Sequence, residues 1–456
     1  MACEMWGCCR TGFERFMGEP TFDWEGDLQY TALTDVGMRR SNNQDSHGVH
    51  LAPDLASWLA RGHLFMVADG MGAHAAGELA SKMAVDNVAH RYQKFAEGLD
   101  SPPEALQKSI VETNAAIYAR GIANSDFRNM GTTGSVLVLL PQGALVAQIG
   151  DSRVYRLRGQ RIEQLTRDHS LVWELRELGR IGDGKEPLNV PKNVITRSLG
   201  PNATVEADIE GPLPIEVGDV FLLCSDGLTG KLEDSELATM LAYLPPHEAA
   251  QMFIHLANLR GGPDNITAIV VKVMGNRLAT DQEHVEPIKL GAGGAAARRQ
   301  EPREVLIWVL AAVAGLAVLV LWITNNPIPA ALAAICGVLL SIYNLIARRL
   351  GTRPAVELGN GRRLGRGPYT QTACPNENAA WTTLSKLCRE LQRMVEQRGL
   401  AVDWRRFETH MKQAEAAETS KNLRAAMLAY AHGIQYLMQL VRDEQRKRLD
   451  NTMIEL

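Results

Sequence analysis

The chain has 456 residues, with 48 Lys and Arg against 52 Asp and Glu and a formal net charge of −4. That length allows about three units of roughly 150 residues, and 46% hydrophobic with 22% charged residues excludes a collagen-like, low-complexity or largely disordered chain. The near-neutral balance argues against a nucleic-acid binder, which carries a strongly basic domain or face.

Residues 1–25 lack the apolar stretch of a secretory signal and are expected to be a mobile N-terminus with free thiols at Cys3, Cys8 and Cys9. With Cys224, Cys336, Cys374 and Cys388 they make seven, an odd number without a CxxC pair, which points to a reducing compartment. Residues 26–276 alternate short apolar runs, turn signals and a few helical stretches, and read as one domain ending near Met274. The Gly/Ala/Arg-rich stretch 277–304 cannot build a core and reads as a flexible linker.

Residues 305–323 and 330–347 are charge-free apolar runs of 19 and 18 residues. Each reaches roughly 27 to 29 Å as a helix, about the thickness of a bilayer's hydrocarbon layer. The intervening TNNPIP permits only a tight turn, so residues 305–347 predict a transmembrane helical hairpin. Arg298, Arg299 and Arg303 precede it and Arg348, Arg349 and Arg353 follow it, which places both flanks in the cytoplasm by the positive-inside rule. The expected location is therefore the cell (inner) membrane, multi-pass, with both soluble parts cytoplasmic. Residues 348–376 read as a second linker. In 377–456 apolar residues recur at helical spacing, as Leu384, Leu387, Leu391 and Met394, then Trp404, Phe407, Met411 and Ala414, then Leu423, Met427, Tyr430, Ile434, Leu437 and Val441. Three amphipathic helices, a small bundle that packs, binds a protein or dimerises, fit this pattern.

Within 26–276 several apolar runs end in an aspartate beside a glycine. HLFMVADG ends in Asp69 and Gly70, ALVAQIGDS turns at Gly150 and Asp151, and DVFLLCSDG ends in Asp226 and Gly227, while Asp264 stands just before NITAIVV. Taken singly, each is explained by an ordinary turn. Four at strand ends in one domain, with Asp45 in NNQD, suggest a shared rim. A carboxylate set without His or Cys is the ligand set of a hard cation, Mg2+ or Mn2+, rather than zinc.

The order and wording of eight segments resemble the bacterial form of the metal-dependent protein phosphatases of the 2C type. They are TDVGMRRSNNQDS (34–46), VADGMGAHAAGELAS (67–81), MGTTGSV (130–136), IGDSRVYRL (149–157), LTRDHSLV (165–172), VITRSLG (194–200), LLCSDGLT (222–229) and GGPDNIT (261–267). The resemblance implies an α+β fold whose central β-sandwich of two antiparallel sheets is flanked by helices. It also implies two Mn2+ or Mg2+ ions, with Asp69 bridging both, the carbonyl of Gly70 binding one, Asp226 and Asp264 holding the other, and Asp45 acting through a bound water. Asp151 matches the position that contributes to a third, weaker ion. Arg40 matches the arginine that grips the substrate phosphate, and with Asp69 is the expected catalytic pair.

Two departures from the pattern remove no ligand: Ala73 replaces a usual glycine, and Met71 stands where animal relatives carry a histidine, so no general acid is assigned. His74 and His169 are expected to have structural hydrogen-bonding roles, and the flap at about 170–194 is a candidate for substrate choice. The implied activity is hydrolysis of phosphoserine and phosphothreonine in proteins, the targets of a Ser/Thr kinase, by a water shared between two ions. A phosphoprotein-binding pseudophosphatase or scaffold, and a phosphatase of a small phosphorylated metabolite, remain open at this stage.

Overall fold

The computed structural model describes residues 24–73, 75–96, 100–181, 190–191, 194–281, 285–290, 356–358, 362–375 and 377–454. In chain order the strands are β1 (Leu28–Asp35), β2 (Asp45–His50), β3 (His63–Met71), β4 (Gly131–Thr132), β5 (Gly134–Leu140), β6 (Gly143–Ile149), β7 (Arg153–Arg158), β8 (Arg161–Gln164), β9 (Asp208–Leu213), β10 (Val220–Cys224), β11 (Ile266–Val273), β12 (Ile288–Leu290), β13 (Val356–Leu358) and β14 (Thr370–Ala373). The helices are α1 (Leu55–Arg61), α2 (Ala76–Ala96), α3 (Pro102–Ala123), α4 (Leu171–Glu177), α5 (Asp226–Thr229), α6 (Asp234–Tyr243), α7 (Pro246–Leu259), α8 (Glu377–Gln397), α9 (Trp404–Thr419) and α10 (Leu423–Ile454).

Successive residues of a strand face opposite sides, and in β3 both sides are apolar and buried. Phe65 and Val67 point into the space between two sheets, where with Leu137, Leu139 and Val146 they meet Val154, Phe221, Leu223, Ile269 and Val271. Leu64, Met66 and Ala68 point outward and, with Val136 and Val138, pack on Ala80, Ala84, Val88 and Tyr92 of α2 and on Leu106 and Ile110 of α3. The near-continuous apolar runs read from the sequence follow from this double burial. One antiparallel sheet runs β2-β3-β5-β6-β9, with β4 beside β3, and the other runs β1-β11-β10-β7-β8-β14. The expected sandwich with helices on both flanks is therefore present.

On the outer face of the second sheet, Tyr155, Leu222 and Val270 pack on Leu237 and Leu241 of α6 and on Phe253 and Leu256 of α7. The same apolar core continues without a break into Leu384, Leu391, Phe407, Met427, Ile434 and Leu437. The three expected C-terminal helices thus form, but not as a free-standing bundle, because α10 lies along α7 and their apolar faces are covered by the chain itself.

The two linkers also differ from expectation. Residues 277–304 contribute β12 and residues 348–376 contribute β13 and β14. Thr370–Ala373 pairs with the edge of β8, where Tyr369 Oη and the Gly367 N–H both donate to Glu210. The glycines and arginines around this segment hide the short β-compatible Thr-Gln-Thr from a compositional reading, while the unpaired edge of β8 offers it a ladder. β12 and β13 pair antiparallel, Ile288 opposite Leu358 and Leu290 opposite Val356. The apolar runs 305–323 and 330–347 lie outside the described residues, as do Cys3, Cys8, Cys9, Cys336 and His74. Among the described residues no helix is long and apolar enough to cross a membrane.

Phe221 is fully buried between the sheets, so Phe221→Ala should destabilise the domain by about 3–5 kcal/mol. A loss under about 1 kcal/mol in denaturant unfolding would contradict its place in a close-packed core.

Candidate active site

The antiparallel order brings five carboxylates to one end of the sandwich. Asp45 opens β2 directly opposite Asp69 near the end of β3, Asp151 follows β6, Asp226 follows β10, and Asp264 lies just before β11. Asp151, Asp226 and Asp264 line an open cleft of about 580 Å³ together with Arg40, Arg153, Asp168, Trp173 and Lys231. Asp45 and Asp69 stand close enough behind them to feel their charge.

Hydroxyl groups hold Asp45 in place. Ser225 Oγ and Thr267 Oγ1 each donate to its Oδ2 at 2.7 Å. Because the one Thr267 hydroxyl proton goes to Asp45, Thr34 must be the donor in its 2.7 Å contact with Thr267, and Asn43 Nδ2 donates in turn to Thr34. This chain of donors spans both sheets and aims at one carboxylate oxygen. Asn265 ties the neighbouring loops, donating to the carbonyls of Val36 and Asn42 and accepting from the Gln44 N–H.

At Asp69 the backbone is held on both sides. Its N–H donates to Thr133 Oγ1, and its carbonyl accepts from the Thr133 N–H and the Thr132 hydroxyl. Gly70 is squeezed between the backbones of Gln44 and Gly77, and a Cβ there would lie 2.1 Å from the Gly77 carbonyl oxygen. Only glycine lets the chain pass here.

The remaining oxygens are unsatisfied. Asp45 Oδ1, Asp151 Oδ1 and Asp226 Oδ1 are buried with no hydrogen-bond partner. Burial, and then the charges of Asp226 and Asp264, push the Asp45 carboxyl up to about 7, against the two hydroxyls that favour its ionised form. Burial and the nearby Asp226 and Asp168 push Asp151 up to about 7. Asp69 is raised well above the usual carboxylate range by burial and by Asp45, Asp226, Asp151 and Asp264. Asp226 is raised by burial and by Asp264. Buried carboxylates that repel one another and keep bare oxygens suit a cation in their midst. Among the described residues no group of three or more His, Cys, Asp or Glu side chains stands close enough together to hold a metal ion as placed, so the fit rests on these orphaned oxygens and on the hard-oxygen donor set. On both grounds Mn2+ or Mg2+ fits.

Arg40 sits at the lip, half-exposed, with Nη2 donating to Asp264 Oδ2 at 2.9 Å. Its loop is braced from behind. Asp35 Oδ1 accepts from the Gly37 N–H and from Asn258 Nδ2. Gly37 adopts φ +79°, where a Cβ would come within 2.2 Å of the Asp264 carbonyl oxygen. Asp35 Oδ2 accepts from Arg442 of α10.

The structure therefore brings together every residue expected at the site: Arg40, Asp45, Asp69, Gly70, Asp151, Asp226 and Asp264. His169 is structural, since its Nδ1 accepts from the Gly150 N–H and its Nε2 contacts Asp208 at 3.0 Å. Of the flap, α4 is described, with Ser170 bridged to Ile195, while residues 182–189 and 192–193 lie outside the described residues. The supporting residues Ser225, Thr267, Asn265, Thr133 and the Arg153–Asp168 pair were not singled out from sequence. All of them stand in the eight quoted segments, beside residues that were.

The protein phosphatase 2C family pattern matches residues 38–259. A 2C-type protein phosphatase of Streptococcus pyogenes is 39% identical over 247 residues, covering 54% of this chain and 97% of that protein. A serine/threonine phosphatase of Listeria innocua is 37% identical over 243 residues, covering 52% and 93%. Among solved structures, the serine/threonine phosphatase of S. agalactiae is 36% identical, covers 54% of this chain and 99% of its own, and superposes with a TM-score of 0.49.

Asp226→Asn removes one charge from a self-repelling group. In metal-depleted buffer the variant should melt no lower than the parent chain, whereas Mn2+ at a hundred times its Kd should stabilise the parent by about 2.7 kcal/mol and the variant far less. Equal stabilisation by Mn2+ in thermal unfolding would remove Asp226 from the cation site.

Proposed function

The chain belongs to the protein phosphatase 2C family and is a protein serine/threonine phosphatase, and from this we propose that it hydrolyses phosphoserine and phosphothreonine in proteins at a two-cation site. Asp45, Asp69, the Gly70 carbonyl, Asp226 and Asp264 would hold two Mn2+ or Mg2+ ions, and Asp151 would serve a third, weaker one. The observation that carries this reading is the set of three buried, unpartnered carboxylate oxygens at Asp45, Asp151 and Asp226. Bound divalent ions would lower the pKa of an attacking water and neutralise charge on the phosphoryl oxygens.

The chain's own groups orient and select. Ser225 and Thr267 lock the rotation of the Asp45 carboxylate. Arg40, at the cleft mouth, presents paired donors matched to phosphate oxygens, which a lysine would not reproduce. Direct attack by water, without a covalent phosphoenzyme, agrees with Cys224. That thiol is fully buried in β10, and burial pushes its pKa far up. A pseudophosphatase would have no reason to keep the whole carboxylate set.

We also propose that residues 305–323 and 330–347 anchor the protein in the inner membrane as a hairpin, with both soluble parts cytoplasmic. Two features support it. The chain leaves at β12 and returns at the adjacent β13, and the C-terminal helices share a core with the catalytic domain, as a hairpin with both flanks on one side requires.

The full chain should dephosphorylate phosphothreonine peptides in a Mn2+-dependent manner, and faster than small phosphorylated metabolites. Asp69→Asn should lower kcat at least about a hundredfold, and near-normal turnover in that variant would refute its role. Arg40→Ala should raise KM about ten- to a hundredfold, as expected for losing a charged hydrogen bond, and an unchanged KM would count against it. A reporter fused after Leu456 should be cytoplasmic; a periplasmic signal would rule out the hairpin.

A further inference from the structure

A second cleft, of about 660 Å³, opens on the far side of the Arg40 loop, where α9 and α10 meet α7 and the end of β1. Its size is that of a small-molecule site, and its lining is unusually rich in donors. His255 comes from α7, Arg406 and His410 from α9, and His432, Gln435 and Arg442 from α10. His410 and His432 stand with ring centroids 5.7 Å apart.

Several of these groups are unmatched. His255 is 8% exposed, and its Nδ1 has no hydrogen-bond partner. His410 Nδ1 and Gln435 Nε2 are likewise buried and unpartnered. Arg406 lies over the Tyr436 ring at 5.0 Å and makes no ion pair among the described residues. The acidic side chains facing the cleft are Asp35, held by Arg442, and the exposed Asp443. Burial, then His432 and Arg406, hold the His410 pKa below its ordinary value against a side-chain hydrogen bond with Gln413, while His255 is held down by burial and by Arg442 with Asp35 opposing. Arg442 and Asp35 are already paired, so the groups left for a ligand in this cleft are the Arg406 guanidinium and the unpartnered His255, His410 and Gln435 atoms.

We propose that this cleft between the helical tail and the catalytic domain is an anion site for a small phosphate- or carboxylate-bearing molecule. Arg406, His410 and His432 would contact the anion from the tail, and His255 would reach it from the catalytic domain. The Arg406 guanidinium binds such oxygens through short, charge-assisted hydrogen bonds, and the neutral imidazoles can each offer one ring N–H beside it. The proposal does not depend on the reading of the catalytic cleft.

The test is calorimetric titration of the full chain in non-ionic detergent, in buffer stripped of metal by a chelating resin, with inorganic pyrophosphate and separately with citrate. The catalytic cleft also carries Arg40, Arg153 and Lys231, so Arg40→Ala separates binding there from binding at the tail. Saturable binding of one probe molecule per chain is expected from at least one of the two. It should weaken about tenfold or more in Arg406→Ala/His432→Ala, as the loss of charged hydrogen bonds implies, and remain unchanged in Arg40→Ala. Arg406 is exposed and His432 half-buried, so the double variant should keep its melting temperature. If it does not, His410→Gln provides the same comparison. The idea is overturned if neither probe saturates below about 10 mM, if binding survives the tail substitutions, or if it is lost in Arg40→Ala.

Discussion

Like charges buried together set the terms for this molecule. Asp45, Asp69, Asp151, Asp226 and Asp264 come from both sheets, and each added carboxylate makes the ionised state of the others harder to sustain. Much of the surrounding architecture resists that repulsion. The Thr34–Thr267–Asp45 chain, the Asn265 bridge between loops and the glycine contact at Gly70 fix the carboxylates from behind. Their open faces are left to whatever cation satisfies them. A site assembled against its own electrostatics needs a stiff frame, and a double-layered sandwich buried on all four sheet faces supplies one.

Asp35 stands between the two clefts, lining the one beside the helical tail and bracing the Arg40 loop that lips the other. One oxygen of Asp35 holds the Gly37 turn of the Arg40 loop, and the other accepts from Arg442 of the tail. The helical tail is therefore hydrogen-bonded to the residue that braces the Arg40 loop.

Much of the catalytic centre was legible in the sequence, for a physical reason. Four aspartates at strand ends leave a local trace, and eight family-like segments in order implied the fold and the carboxylates that the structure brings to one rim. The hydroxyl partners of Asp45 leave no such trace. Ser225 and Thr267 meet it across 180 and 222 residues of sequence, a meeting decided by the registers of β2, β10 and β11 rather than by any neighbour in the chain. The same limit explains the tail. Helical spacing marks Leu384, Phe407 and Ile434 as an apolar face, but periodicity does not say what covers that face, and here it is α7. It also explains β14, whose composition is that of a loop and whose conformation is set by the free edge of β8.

Because α10 covers α7, the catalytic domain is completed last. Leu256 of α7 is synthesised long before Leu437, which shares its core. At about 5–20 residues per second, the intervening stretch takes on the order of ten seconds or more to make. Throughout that interval the apolar flank of α7 faces water, and the Arg40 loop lacks the Arg442 contact behind it. During synthesis the nascent domain is thus both sticky and incompletely braced, and the order of translation makes the tail the step that finishes it.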